Sequence, residues 1–97
     1  MILSFKGRGT GDVFDGGDTK IARGNCPREL WDVAARKLEL LDSAQDLRDL
    51  RIPPGNRLEK LKGERRGMHS IRINDRYRIR FEWTGTGPRD VETVDYH

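Results

Sequence analysis

Only one cysteine, Cys26, occurs in the chain, so no disulfide can form within it. A lone thiol fits a reducing compartment, and a cytoplasmic protein is expected. The two histidines, His69 and His97, lie far apart, and no Cys/His cluster has zinc-ligand spacing. Neither a structural metal nor a cofactor is therefore expected. No run of eighteen apolar residues is present, which excludes a spanning apolar helix and any membrane partner of that kind. The opening MILSFKGRGTG lacks the apolar stretch of a signal peptide. The glycines of GRGTGD match neither the P-loop nor the dinucleotide-binding pattern, and nothing marks an activated serine for a Ser-His-Asp arrangement.

What the chain does have is charge. It is 36% charged and 34% hydrophobic over 97 residues, enough for one domain, 1–97, with one modest core. The net charge of +3 is unevenly spread. Residues 1–56 carry 9 basic and 9 acidic side chains, residues 57–80 carry 9 and 3, and residues 81–97 carry 1 and 4. The basic excess therefore belongs to a local block. Two readings fit it: a face for a polyanion, or a solvated strand face kept soluble by arginine.

Periodicity gives the elements. Met1, Leu3 and Phe5 alternate with Ile2, Ser4 and Lys6, which predicts a first strand. The Gly- and Asp-rich GRGTGDVFDGGDTK has room for a short helical turn around Val13 and Phe14. NCPRELWDVAARKLELLDSA predicts the main helix. Pro27 suits its first turn, Glu29 and Asp32 favour its positive end, and Leu30, Ala34, Leu38 and Leu41 form one apolar stripe. Ala44, Leu47 and Leu50 repeat that spacing until IPPGN breaks the chain.

Beyond Asn56 the period becomes two. A short strand is expected through Arg57–Leu61, then a hairpin of HSIRIND and YRIRFEW, then a last strand in RDVETVDYH whose buried face the pattern leaves open. Placing Ile71, Ile73, Tyr77, Ile79 and Phe81 on one face requires an even register. A three-residue loop, Asn74-Asp75-Arg76, then sets Ile73 opposite Tyr77 and Arg72 opposite Arg78. That register asks for a positive φ near Arg76. It also faces two cations across the strands, which is unfavourable unless an anion lies beside them. The fold class is α+β: a small antiparallel or mixed sheet with two to three N-terminal helices packed on one face.

Arg57, Lys60, Lys62, Arg65, Arg66, Arg72, Arg78 and Arg80 supply the basic face, with Tyr77 and Tyr96 beside it. Cations neutralise phosphates and aromatic rings stack on unpaired bases. Asp95, Tyr96 and His97 stand together at the end of the last strand. RNA carries its own nucleophile, the 2′-OH. Cleaving it needs a proton acceptor, a proton donor and cations for the charge developing on phosphorus, and no metal. Each terminal group also has an ordinary reading: Tyr96 as a core-edge ring, Asp95 as an ion-pair partner, His97 as a frayed end.

LEKLKGERRGMHSIRINDRYRIRFEW followed by VETVDYH resembles the HigB branch of the RelE-like bacterial toxins, with support from RIPPGN. The resemblance covers most of the chain. It implies a ribosome-dependent endoribonuclease that cuts mRNA in the A site. It also implies a helix-turn-helix antitoxin of the HigA type as partner, with operator DNA bound only through the complex. The family's acting groups fall on Lys62, Arg78, Asp95, Tyr96 and His97, so the end of the last strand is expected to wall the active site. Arg57, Lys60, Arg65, Arg66, Arg72, Tyr77 and Arg80 are expected to hold RNA. Three positions depart from the family pattern: Glu59, often histidine; Tyr77, often tryptophan; and Arg76, often a polar amide. Two other classes fit the same charge pattern. One is a basic module that occupies the ribosome or RNA without cutting; the other is a protein whose basic face only docks the antitoxin.

Overall fold

A computed structural model describes residues 1–63 and 67–95. Three helices, α1 (Gly9–Phe14), α2 (Lys20–Asn25) and α3 (Trp31–Ser43), precede four strands. The strands β1 (Glu59–Lys60), β2 (Met68–Arg72), β3 (Tyr77–Thr84) and β4 (Gly87–Asp95) form an antiparallel sheet in sequence order.

The helical stripe does what its spacing demands. Ala34, Leu38 and Leu41 are fully buried against Ile71, Ile79, Phe81 and Val91, while Leu30, Trp31 and Val33 pack at the margin. Burying a Leu or Phe side chain stabilises a fold by about 1.5–3 kcal/mol, so this contact holds the two layers together. The main helix begins later than expected. Pro27 stands at φ −56°, ψ 141°, before a 3-10 turn at Arg28–Leu30, and only then does α3 start. Ala44 and Leu50 do bury, Ala44 as the C-cap of α3 and Leu50 on a second 3-10 turn, Leu47–Arg51, whose capping box joins Asp46 and Asp49.

The expected first strand is reduced to one parallel bridge, Phe5 with Val91. Leu3 and Lys6 donate backbone bonds to Pro88 and Val91, and Val91 donates to Ser4. The segment therefore runs beside β4 without forming a ladder. A bulge explains both this and the ambiguous pattern of the last strand. Arg80 pairs with Glu92 but Glu82 pairs with Arg89, so β4 carries one extra residue there. Asp90 takes φ 52° at that point, and Val91 and Thr93 then face the core. The helix α2 has no counterpart in the sequence reading. Its start is set by Thr19, whose hydroxyl accepts from Ala22 N–H at 3.0 Å.

The central hairpin keeps the expected register: Ile71 faces Ile79, Arg72 faces Arg78, and Ile73 N–H bonds Tyr77 C=O. Its loop is closed differently. Asn74 Oδ1 accepts from Arg76 N–H at 2.9 Å and Tyr77 N–H at 2.7 Å, a side-chain turn that leaves Arg76 without a positive φ. Among the described residues, the non-glycine positions in the left-handed region are Arg57, at φ 45°, and Asp90.

Candidate active site

Strand parity sends Ser70, Arg72, Arg78 and Arg80 to the side of the sheet away from the core of Ile71, Ile79 and Phe81. The loop through Asn56 and Arg57 covers part of that side. Asn56 is fully buried and its amide donates to the carbonyls of Leu50 (3.2 Å) and Ile52 (3.3 Å). Lys37 reaches the amide oxygen from α3. This ties the loop to the helix and fixes Arg57 next to β2 and β3.

Arg78 is not part of a solvated face, which was one of the two readings its arginine-rich block allowed. It is 8% exposed. Its Nε donates to Ser70 Oγ at 2.8 Å, and Nη2 donates to the carbonyls of Arg57 at 2.5 Å and Ser70 at 3.3 Å. Among the described residues the carboxylate paired with it is Glu59, 3.9 Å from Nη1. A buried cation held mostly by neutral oxygens keeps much of its charge unmatched, so it attracts an anion. The guanidinium borders a cleft of about 280 Å³ lined by Arg57, Glu59, Arg72, Asn74, Asp75 and Arg78. Arg72 and Arg78 do face one another; Asp75 pairs with Arg72, while Arg78 has only the distant Glu59 contact.

The other expected residues divide by register. Asp95 pairs across the strands with Tyr77, so register sets it on the face of Ile79, while Val94 is the partner of Arg78. Arg76 grips Asp95 through three hydrogen bonds and lies 5.7 Å from the Tyr77 ring. Arg80 lies outside the cleft, 3.8 Å from Glu92, which Lys6 also approaches at 3.9 Å. Lys60 pairs with His69 and shares the face of Phe81, opposite to that of the arginines. Lys62 is exposed just past Leu61, whose N–H bonds Met68 C=O in the row of Glu82. Five residues of β3 part that row from Asp95, so Lys62 stands roughly 16 Å or more along the sheet from it. Arg65, Arg66, Tyr96 and His97 lie outside the described residues.

The sequence reading gave no role to Ser70, Asn74 and Asp75, and it noted Glu59 only as a departure. Ser70 was within reach of it. The register that puts Arg72 opposite Arg78 makes Ser70 the diagonal neighbour of Arg78 on the same face. Arg57's carbonyl was not, because a left-handed loop residue many positions away carries no periodic signal.

Elsewhere, Cys26 is buried, and burial together with the nearby Glu29 pushes its thiol pKa up. Among the described residues no three His, Cys, Asp or Glu side chains are grouped to hold a metal ion, and no helix is long and apolar enough to cross a membrane.

The model of one family matches residues 3–97: the RelE-like toxin of type II toxin-antitoxin system HigB. This chain belongs to that family. Its known relatives include the toxin HigB-1 of Vibrio cholerae, 53% identical over 83 residues, which cover 86% of this chain and 84% of the relative. The endoribonuclease HigB of Proteus vulgaris is 30% identical over 97 residues, the whole of both chains. The α+β architecture, with helices leading into a four-stranded antiparallel sheet, is that of a RelE-like toxin. As a type II toxin, a HigB protein has an antitoxin as partner.

Proposed function

We propose that this HigB protein, acting as one domain in the cytoplasm, is a ribosome-dependent endoribonuclease that cleaves mRNA in the A site. The observation that carries the reading is Arg78, a buried guanidinium oriented by Ser70 and the Arg57 carbonyl at the wall of a cleft lined by three arginines, two carboxylates and Asn74. Preorganised donors of this kind stabilise charge that develops in a transition state. Arg57 and Arg72 hold backbone phosphates beside the scissile bond. Arg78 faces the phosphorus, where the 2′-OH attacks and the 5′-oxygen leaves. The proton acceptor and donor come from Asp95, which ends β4, and from Tyr96 and His97, which follow it in sequence. A positioned acid or base contributes about 10²–10⁴-fold, so the ribosome's ordering of the message completes the rate. Lys62, at the far end of the sheet, fits a backbone or ribosome contact better than the chemical step. The name of the Proteus vulgaris relative supports the activity.

The partner is a HigA-type helix-turn-helix antitoxin, and operator DNA is bound through the complex. Purified protein in a translation extract tests the activity. Cuts within codons, with a 2′,3′-cyclic phosphate or 3′-phosphate on the upstream fragment, are expected. A 3′-hydroxyl on that fragment would exclude 2′-OH attack, and stalling without cuts would leave a ribosome-binding module.

A further inference from the structure

Asp95 closes β4, and its carboxylate is held by the neighbouring hairpin. Arg76 Nε donates to both carboxylate oxygens, at 2.9 and 3.0 Å, and Nη2 donates to Oδ2 at 2.9 Å. A planar fork on a carboxylate fixes direction as well as distance, which an ammonium would not do. The clamp is anchored on both sides. Arg76 N–H is bonded to Asn74 Oδ1, in the loop whose Asn74 and Asp75 line the cleft. Asp95 is the cross-strand partner of Tyr77, whose ring lies under the guanidinium. The pair thus ties the end of β4 to the rim of the cleft.

We propose that Arg76 is a positioning residue for RNA cleavage: it acts through Asp95, fixing the end of β4 against the hairpin loop whose Asn74 and Asp75 line the Arg78 cleft. The proposal rests on the reading of Asp95 as part of the cleaving site. Arg76 is half exposed, as a phosphate contact would be, but Nε and Nη2 are already committed to Asp95. Its effect therefore falls on the chemical step and not on affinity.

The test is a double-mutant cycle of Arg76→Ala, Asp95→Asn and both together, read as single-turnover mRNA cleavage on purified ribosomes, with ribosome binding and melting temperature measured alongside. Ion pairs this exposed add little to stability, so each variant folds. Arg76→Ala is expected to lower the rate at saturation about 10-fold while leaving the half-saturating ribosome concentration unchanged. Arg76→Lys, with one nitrogen in place of a planar fork, is expected to recover part of the rate. The double variant is expected to be no slower than Asp95→Asn alone, since coupled residues are not additive. A parental rate for Arg76→Ala overturns the proposal. So do weakened binding with an unchanged saturated rate, which marks a phosphate contact, and additive losses, which mark an independent role. If Asp95→Asn itself cuts at the parental rate, the reading of Asp95 fails as well. If only Arg76→Ala is parental, that reading stands and the positioning role falls.

Discussion

Arg78 and Ser70 lie two rows apart on adjacent strands, diagonal neighbours on one face, and the arginine Nε donates to the serine Oγ at 2.8 Å. The pairing has a direct cost when broken. Ser70 is fully buried, so Ser70→Ala strips a buried donor of its acceptor, an expected loss of about 1–3 kcal/mol. Each kcal/mol lowers the melting temperature of a domain this size by about 4–8 °C. Arg78→Lys keeps the charge but cannot reach Ser70 and the Arg57 carbonyl together. We expect it to fold and to cleave mRNA at least about 10-fold more slowly in single-turnover assays. A parental rate for Arg78→Lys would reduce the site to a point charge.

Asn56 tests whether the cleft depends on its loop. The fully buried amide bridges the Leu50 and Ile52 carbonyls to Lys37. Asn56→Ala leaves those carbonyls and the ammonium short of partners, with an expected destabilisation of about 2–3 kcal/mol. Because Arg57 follows directly, cleavage should fall by more than the loss of folded protein. Denaturant melts and rates per folded molecule separate the two effects. A rate unchanged per folded molecule would show that Arg57 is placed without Asn56.

Much of this was legible in the sequence, and the reasons are specific. The stripe of Ala34, Leu38 and Leu41, and the parity of Ile71, Ile79 and Phe81, are periodic, and burial follows period. Like-charged Arg72 and Arg78 were found opposite each other because loop length and parity fix register. The first strand was misjudged because alternation cannot tell a ladder from a segment that touches its neighbour at one bridge. The bulge at Asp90 hid the inward face of β4, since one extra residue inverts the alternation. Within the site, shared parity marked Arg72, Arg78 and Arg80 alike. The structure separates them: Arg78 is buried by a loop that periodicity does not see, and Arg80 stands beside Glu92.

That separation predicts unequal salt dependence. Arg72 borders the cleft, whereas Arg80 lies 3.8 Å from Glu92 in its own cross-strand row. Each lost phosphate contact flattens the plot of log affinity against log salt by about one unit. Arg72→Ala should lose about that much in ribosome or RNA binding, and Arg80→Ala distinctly less. Equal slopes for the two variants would return Arg80 to the RNA-binding face.

Glu59 supplies the sharpest test of how the cleft meets RNA. Its carboxylate lines the cleft, half exposed, 3.9 Å from Arg78 Nη1. An incoming phosphate must displace it or lie beside it, and either costs affinity. Two charges about 4 Å apart interact by about 1 kcal/mol in bulk water and about 4 at an effective dielectric of 20, and exposed pairs sit near the lower value. Glu59→Gln keeps the shape and removes the charge. We therefore expect ribosome or RNA binding to tighten by about threefold to tenfold at low salt, with the gain shrinking as salt rises and screening takes over. The saturated cleavage rate should stay parental, because a carboxylate that merely competes with phosphate takes no part once the substrate is seated. The alternative has an opposite signature. If Glu59 accepts the 2′-OH proton, Glu59→Gln binds at least as well but cuts about 10²-fold or more slowly at saturation. Binding isotherms at two salt concentrations and single-turnover rates on the same preparations decide between them.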